Sequence, residues 1–173
     1  MTRLRILLLG SDCNPDEVSI PYVTYSHAAA LAELHEVTLV ARASVEEPLR
    51  RAKASFRAIE VVRTPLLDRI YDWVFRKILK QNYNSQARTA LAYPYYLAFE
   101  WYAWRQFRSR IFSGEFDLVL RIVPMAAVIP SPFSFLLRKG PVPFVIGPIQ
   151  AALPLTTRPS FQRSASDGVS RRH

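Results

Sequence analysis

The sequence predicts an α/β fold, a parallel sheet with helices on both of its faces. Three observations carry this. Residues 5–9 (RILLL), 118–123 and 143–146 are short, near-continuous apolar runs, the pattern of strands covered on both sides rather than one. The last two runs are joined by SPFSFLLRKG, which opens a helix at Ser131–Pro132 and stops it at Gly140, with Arg138 and Lys139 in the last turn. Strand, helix and strand in that order make a crossover between parallel neighbours.

The first run ends in Gly10-Ser11-Asp12, and an opening strand that ends in glycine is the usual start of a doubly wound sheet. A dinucleotide fingerprint would need G-x-G-x-x-G, and only Gly10 is present. The loop 11–21 is long for a strand-to-helix connection, and long loops at strand carboxyl ends often carry function. A helix is expected over 22–34, with Tyr22, Tyr25, Ala29, Leu31 and Leu34 covering most of one side. Residues 35–40 (HEVTLV) read as the second strand. Ser44 with Glu47 three residues later makes a capping box for a short helix over 45–54, and 56–62 is the third strand. Leu66, Leu67, Ile70, Val74, Ile78 and Leu79 then recur at helical spacing, 81–89 reads as a turn or loop, and an aromatic-rich helix is expected over 95–112. Residues 156–173 are polar without apolar period and are expected to be disordered. The organisation expected is one domain, 1–155, and a tail, 156–173.

Composition narrows the partners. Half of the 173 residues are hydrophobic and 21% are charged, which excludes global disorder. One cysteine, Cys13, allows no intrachain disulfide and fits a reducing compartment. The amino-terminal apolar run breaks at Asp12, too soon for a secretory core of roughly 7–15 apolar residues. The longest apolar stretch, 123–137, holds three prolines and falls short of the ~20 residues that span a bilayer. The expected location is cytoplasmic, possible attachment being peripheral at the inner face of the membrane. Net charge is +9, with a pI near 10.1, a balance that attracts phosphates of some kind. Residues 66–112 hold eight of the Lys/Arg against three acids, and all three tryptophans. That stretch reads either as two amphipathic helices packed on the sheet or as a contact with an anionic leaflet. No nucleic-acid module is recognisable, so nucleic acid is not an expected partner.

Three blocks carry a resemblance: CNPDEVSIPYVTYSHAAALAELHEVTLVAR, YYLAFEWYAWRQFRSRI, and FDLVLRIVPM followed by IPSPF and PVPFVIGPIQAALP. Together, over 4–154, they resemble the N-terminal, acceptor-side domain of GT-B glycosyltransferases of the family-4-like group. The resemblance implies a Rossmann-like lobe of a two-lobed enzyme. It also implies sugar transfer from a nucleotide-sugar donor to a glycan or lipid-linked acceptor, with no metal and no cofactor required. The donor-side signature of such enzymes, two glutamates separated by seven residues, does not occur in this sequence. The expectation is therefore a chain truncated before the donor domain and inactive alone, binding a nucleotide sugar only when a second domain is supplied. The alternative is a non-catalytic domain that binds a glycan or a membrane surface. The family's histidine in the fourth strand falls at Leu120, its glycine in the first helix at Thr24, and its Asn-Gly-Gly at Gln150-Ala151-Ala152.

On that resemblance Asp12, Asn14, His27, Glu100 and Arg121 are the candidate acceptor-binding residues, and Gly147 and Gln150 face the donor. Each has a plainer reading. Asp12 and Asn14 could satisfy their own loop's backbone, and His27 could be a packed core histidine. Glu100 could have a raised pKa and act as acid or base, or could pair with Arg105 or Arg108. Arg121, next to a strand end, must meet a carboxylate or a phosphate if buried. Gly147-Pro148 could simply end a strand. Cys13 is assigned no role, and the catalytic residues stay unknown.

Overall fold

A computed structural model describes residues 2–64, 69–70, 85–125 and 129–149. Five parallel strands form one sheet, β1 (Arg5–Leu9), β2 (Glu36–Arg42), β3 (Ala58–Val62), β4 (Leu118–Arg121) and β5 (Phe144–Ile146), in the order β3-β2-β1-β4-β5. The connections are α1 (Ile20–Leu34), a 3-10 turn (Ala43–Val45) leading into α2 (Glu46–Arg51), α3 (Ser85–Phe112) and α4 (Pro132–Leu136). The order 3-2-1-4-5 with all strands parallel is Rossmann-like, as the apolar runs predict.

The two faces follow from the period of two along each strand. Leu7, Leu9, Val40, Val62 and Val119 turn to one side and pack with Phe99, Ala103, Phe107 and Ile111 of α3 and Phe133 of α4. Ile6, Leu8, Val37, Leu39 and Ala41 turn to the other, against Ala28 and Ala32 of α1 and Leu49 of α2. β3 and β5 are the two edge strands; β5 is three residues long, with Pro143 just before it and Pro148 two residues after.

Several boundaries and faces differ from expectation, each for a physical reason. α1 starts at Ile20, with Pro21 in its first turn, where a missing N–H costs nothing. Its buried line is Thr24, Ala28 and Ala32, whereas Tyr22 and Leu34 are exposed. Small side chains let the helix lie close to the sheet, and the bulky ones cannot fit that gap. The expected capping box is not formed: Ser44 lies inside the 3-10 turn, and α2 begins without a side-chain cap. Its ends are instead matched to the helix dipole, with Glu46 and Glu47 first and Arg50 and Arg51 last. They pair four residues apart at 2.9 and 3.2 Å. The third strand begins at Ala58, not at residue 56. α3 reaches back to Ser85, so the part of the expected loop over 85–89 is helical. Most of the expected helix over 66–80 and the tail 156–173 lie outside the described residues. Among the described residues no helix is long and apolar enough to cross a membrane.

At the amino edge of the sheet, Arg5 of β1 is bound to Asp117, the residue before β4. The guanidinium donates at 2.6 and 3.1 Å and the Arg5 amide at 2.8 Å. These donors hold the Asp117 carboxyl down at about 2, below the ordinary value near ~3.9. A carboxyl with a depressed folded pKa stabilises the fold above its unfolded pKa and loses that contribution as pH falls through the folded one. NMR titration of Asp117 should therefore give a midpoint about two units below a free aspartate. Asp117→Asn should flatten the loss of stability on acidification between about pH 4 and 2; an ordinary midpoint would refute the assignment.

Candidate functional site

Open parallel sheets bind ligands outside the carboxyl ends of their strands, where the chain order reverses. Here that switch lies between β1 and β4, and the loops that follow those two strands form its walls. The turn out of β1 is tight. A Cβ on Gly10 would meet Cys13 Cβ at 3.2 Å, and Thr24 Cγ2 and Leu39 Cδ1 at 3.3 Å, so only glycine fits without displacement. The Gly10 amide donates to the Val40 carbonyl at 3.0 Å and the Cys13 amide to the Gly10 carbonyl at 3.1 Å, which fixes Asp12 between them.

Asp12 forms an ion pair with Arg42, the last residue of β2. The side chains of Arg42 and Asp12 are 15% and 14% exposed, so the pair sits at the rim rather than in the core. Ser11 Oγ donates to Asp12 Oδ2 at 3.0 Å. The Arg42 amide and its Nε both reach the Ser11 carbonyl at 3.3 Å, and its guanidinium lies 5.2 Å from the centre of the Tyr95 ring. Two of the roughly four lone-pair positions of the Asp12 carboxylate are used in this way; the others can accept hydroxyl donors. Arg42 is the functional neighbour that sequence reasoning passed over. Its position at the carboxyl end of the strand beside β1 was the available sign.

Behind the rim lies a second, buried pair, joining two of the candidate residues. Arg121 is the last residue of β4, opposite Leu9 of β1, and its guanidinium is wholly buried under α3. Arg121 Nη1 donates to Glu100 Oε1 at 3.1 Å and Nη2 to the Ile129 carbonyl at 3.2 Å. Ser131 Oγ donates to the other Glu100 oxygen. Burial pushes the Glu100 carboxyl up from the usual range, against the opposing pull of the Ser131 hydroxyl, the Arg121 guanidinium and the Phe133 amide. Among the described residues, Arg121 Nε has no hydrogen-bond partner. Glu100 thus pairs across the fold with Arg121, not along its own helix with Arg105 or Arg108. Tyr95 and Glu100 belong to neighbouring turns of α3, so one helix touches both ion pairs.

The remaining candidates are placed less productively. Asn14 is buried, but its Oδ1 accepts from the Asp16 amide at 3.0 Å and its Nδ2 donates to Glu17 at 2.9 Å. Both ends of its amide brace the loop, as the plainer reading has it. His27 is exposed on α1 with Nδ1 2.8 Å from the Val23 carbonyl oxygen, so it is not a core histidine. The Gly147 amide donates to the Arg121 carbonyl at 3.0 Å, and a Cβ there would meet nothing within 4 Å. Gln150 lies outside the described residues. Among the described residues no three His, Cys, Asp or Glu side chains are grouped to hold a metal ion. A depression of about 390 Å³, lined by Arg3, His35, Glu36 and Arg57 among others, lies at the opposite, amino edge of the sheet.

Cys13 is buried behind the first turn, and burial beside Asp12 pushes its thiol up to about 12. Only the thiolate is nucleophilic. Cys13 should resist iodoacetamide at neutral pH in the native protein and react fully in denaturant. Rapid native labelling, followed by mass spectrometry, would show the turn to be open.

Comparison with protein-family models, with curated proteins and with solved structures found no match to this chain.

Proposed function

We propose that this chain is the acceptor-side domain of a GT-B glycosyltransferase of the family-4-like group. The observation that carries the reading is the Asp12 carboxylate. It is pinned by Arg42 and Ser11 at the switch point of a 3-2-1-4-5 sheet and keeps acceptor capacity toward the rim. A carboxylate fixed in this way suits the hydroxyls of a glycan or a lipid-linked sugar, since it accepts hydrogen bonds without having to be ordered on binding. The Glu100–Arg121–Ser131 cluster supports the crevice from behind. Apart from Arg121 Nε, its polar groups are engaged with one another or with the Ile129 carbonyl, so its part is to set the β4 exit rather than to touch the acceptor. In the family resembled, the departing diphosphate is stabilised by cations and dipoles of the donor-binding domain, so chemistry requires that second domain.

The test is transfer of labelled hexose from nucleotide sugars to glycan and lipid acceptors. These 173 residues alone should give none. Transfer should appear when a nucleotide-sugar-binding domain of the GT-B class is supplied, and Asp12→Asn should weaken acceptor binding. Turnover, or tight nucleotide-sugar binding, by this chain alone would overturn the acceptor-side assignment.

A further inference from the structure

The outer surface of the helical layer formed by α3 and α4 carries a pattern that packing on the sheet leaves half exposed, although Phe112 also meets the edge of the Trp104 ring at 6.2 Å. Along α3, Ala103, Trp104, Phe107 and Ile111 are buried toward the sheet. Trp101, Arg105, Arg108 and Phe112 recur four, three and four residues apart and so form one stripe on the far side. Trp101 is 50% exposed and Phe112 58%, with Tyr102 beside them at 43%. α4 lies in the same layer, held by an edge-to-face contact of Trp104 on Phe133 at 5.5 Å. Phe133 and Leu137 turn inward, while Phe135 between them is 77% exposed and is followed by exposed Arg138 and Lys139.

Charge on this surface is one-sided. No Asp or Glu occurs in 129–149, the Glu100 carboxylate of α3 is buried on Arg121, and Glu115 beyond the helix is bound to Arg110. Among the described residues, Arg105, Arg108, Arg138 and Lys139 have no carboxylate within ion-pair distance, whereas Arg5, Arg42, Arg50, Arg51, Arg57, Arg63, Arg110 and Arg121 are all paired.

We propose that this α3–α4 face docks on a membrane surface that bears anionic lipid. It has as many large aromatic rings as cations, interleaved along a stripe of about 16 Å. Such a surface suits a partner that is anionic on top and apolar just beneath. Trp and Tyr settle at headgroup depth with their ring bodies in the apolar layer, and the cations between them reach the lipid phosphates. The proposal does not rest on the glycosyltransferase reading.

The experiment is co-sedimentation of the full chain with vesicles of phosphatidylcholine alone or mixed with phosphatidylglycerol. Binding should require the anionic lipid and weaken with salt. Combining Arg105→Gln, Arg108→Gln, Arg138→Gln and Lys139→Gln should lower the partition coefficient by about tenfold or more, while Arg50→Gln on α2 should leave it unchanged. All five positions are exposed, so unaltered melting of the variants confirms that they are folded. Bromine-labelled acyl chains should quench tryptophan fluorescence, and Trp101→Phe should remove most of that quenching. Equal binding to neutral and anionic vesicles would overturn the proposal, as would full binding by the charge-depleted variant. Capture of a single-stranded RNA that the same variant loses, with no vesicle binding, would assign the face to nucleic acid instead.

Discussion

Glu100→Ala is expected to destabilise the protein by about 3–5 kcal/mol, because it strands a fully buried guanidinium. The Arg121 side chain is 0% exposed and its Nε already lacks a partner. Among the described residues, losing the carboxylate would leave only the Ile129 carbonyl to compensate the charge, and would leave the Ser131 hydroxyl without its acceptor as well. The upward push of burial on the Glu100 carboxyl indicates what holding this charge in a dry place costs. The same reasoning predicts a different result when the whole cluster is replaced. Glu100→Leu with Arg121→Met and Ser131→Ala should recover most of the loss, since apolar residues of similar volume often equal or exceed a buried pair. Urea unfolding followed by tryptophan fluorescence separates the cases. A single variant within about 1 kcal/mol of the native protein would show that water reaches the pair.

Phe107→Ala should cost a similar amount, about 3–5 kcal/mol, by a different route. Phe107 is fully buried where α3 crosses the sheet, its ring edge-to-face with Phe116 at 6.4 Å and 5.1 Å from the Arg110 guanidinium. Truncation leaves a cavity that a helix held to the sheet by Phe99, Ala103, Trp104 and Ile111 on either side cannot collapse into. The companion is Trp101→Ala, six residues earlier and half exposed. It should change stability by less than about 1 kcal/mol. The contrast would show that the larger ring contributes little to folding, as it should if its partner is outside the molecule. Comparable losses from both would mean that α3 is packed on both sides.

What could be read beforehand was what depends on local pattern. Residues 6–9 and 118–120 are apolar throughout because both faces of a central parallel strand are covered, and that pattern points to the fold class. The crossover helix could be placed from Ser131-Pro132 because a proline there meets no backbone demand. What escaped was set by distance in space. The α1 face could not be chosen without knowing how closely Gly10 and Thr24 approach, a constraint that favours small residues over the bulkier Tyr22 and Leu34. For Glu100 the sequence offered two arginines on its own helix, and the true partner stands 21 residues on, brought there by strand order. Arg42 went unnoticed for the same reason: its meaning depends on β2 lying beside β1, which no spacing along the chain reports.

The brevity of β5 bears on how the protein behaves in solution. An open strand edge offers unpaired amides and carbonyls on which another chain can template itself. At the β5 edge of the sheet only Phe144, Val145 and Ile146 could serve, and Pro143 and Pro148 at either side lack the N–H that would lengthen the docking register. Half-exposed Val145 is therefore kept from seeding intermolecular sheets by its flanking imino acids, and replacing both prolines should bring aggregation on earlier during refolding.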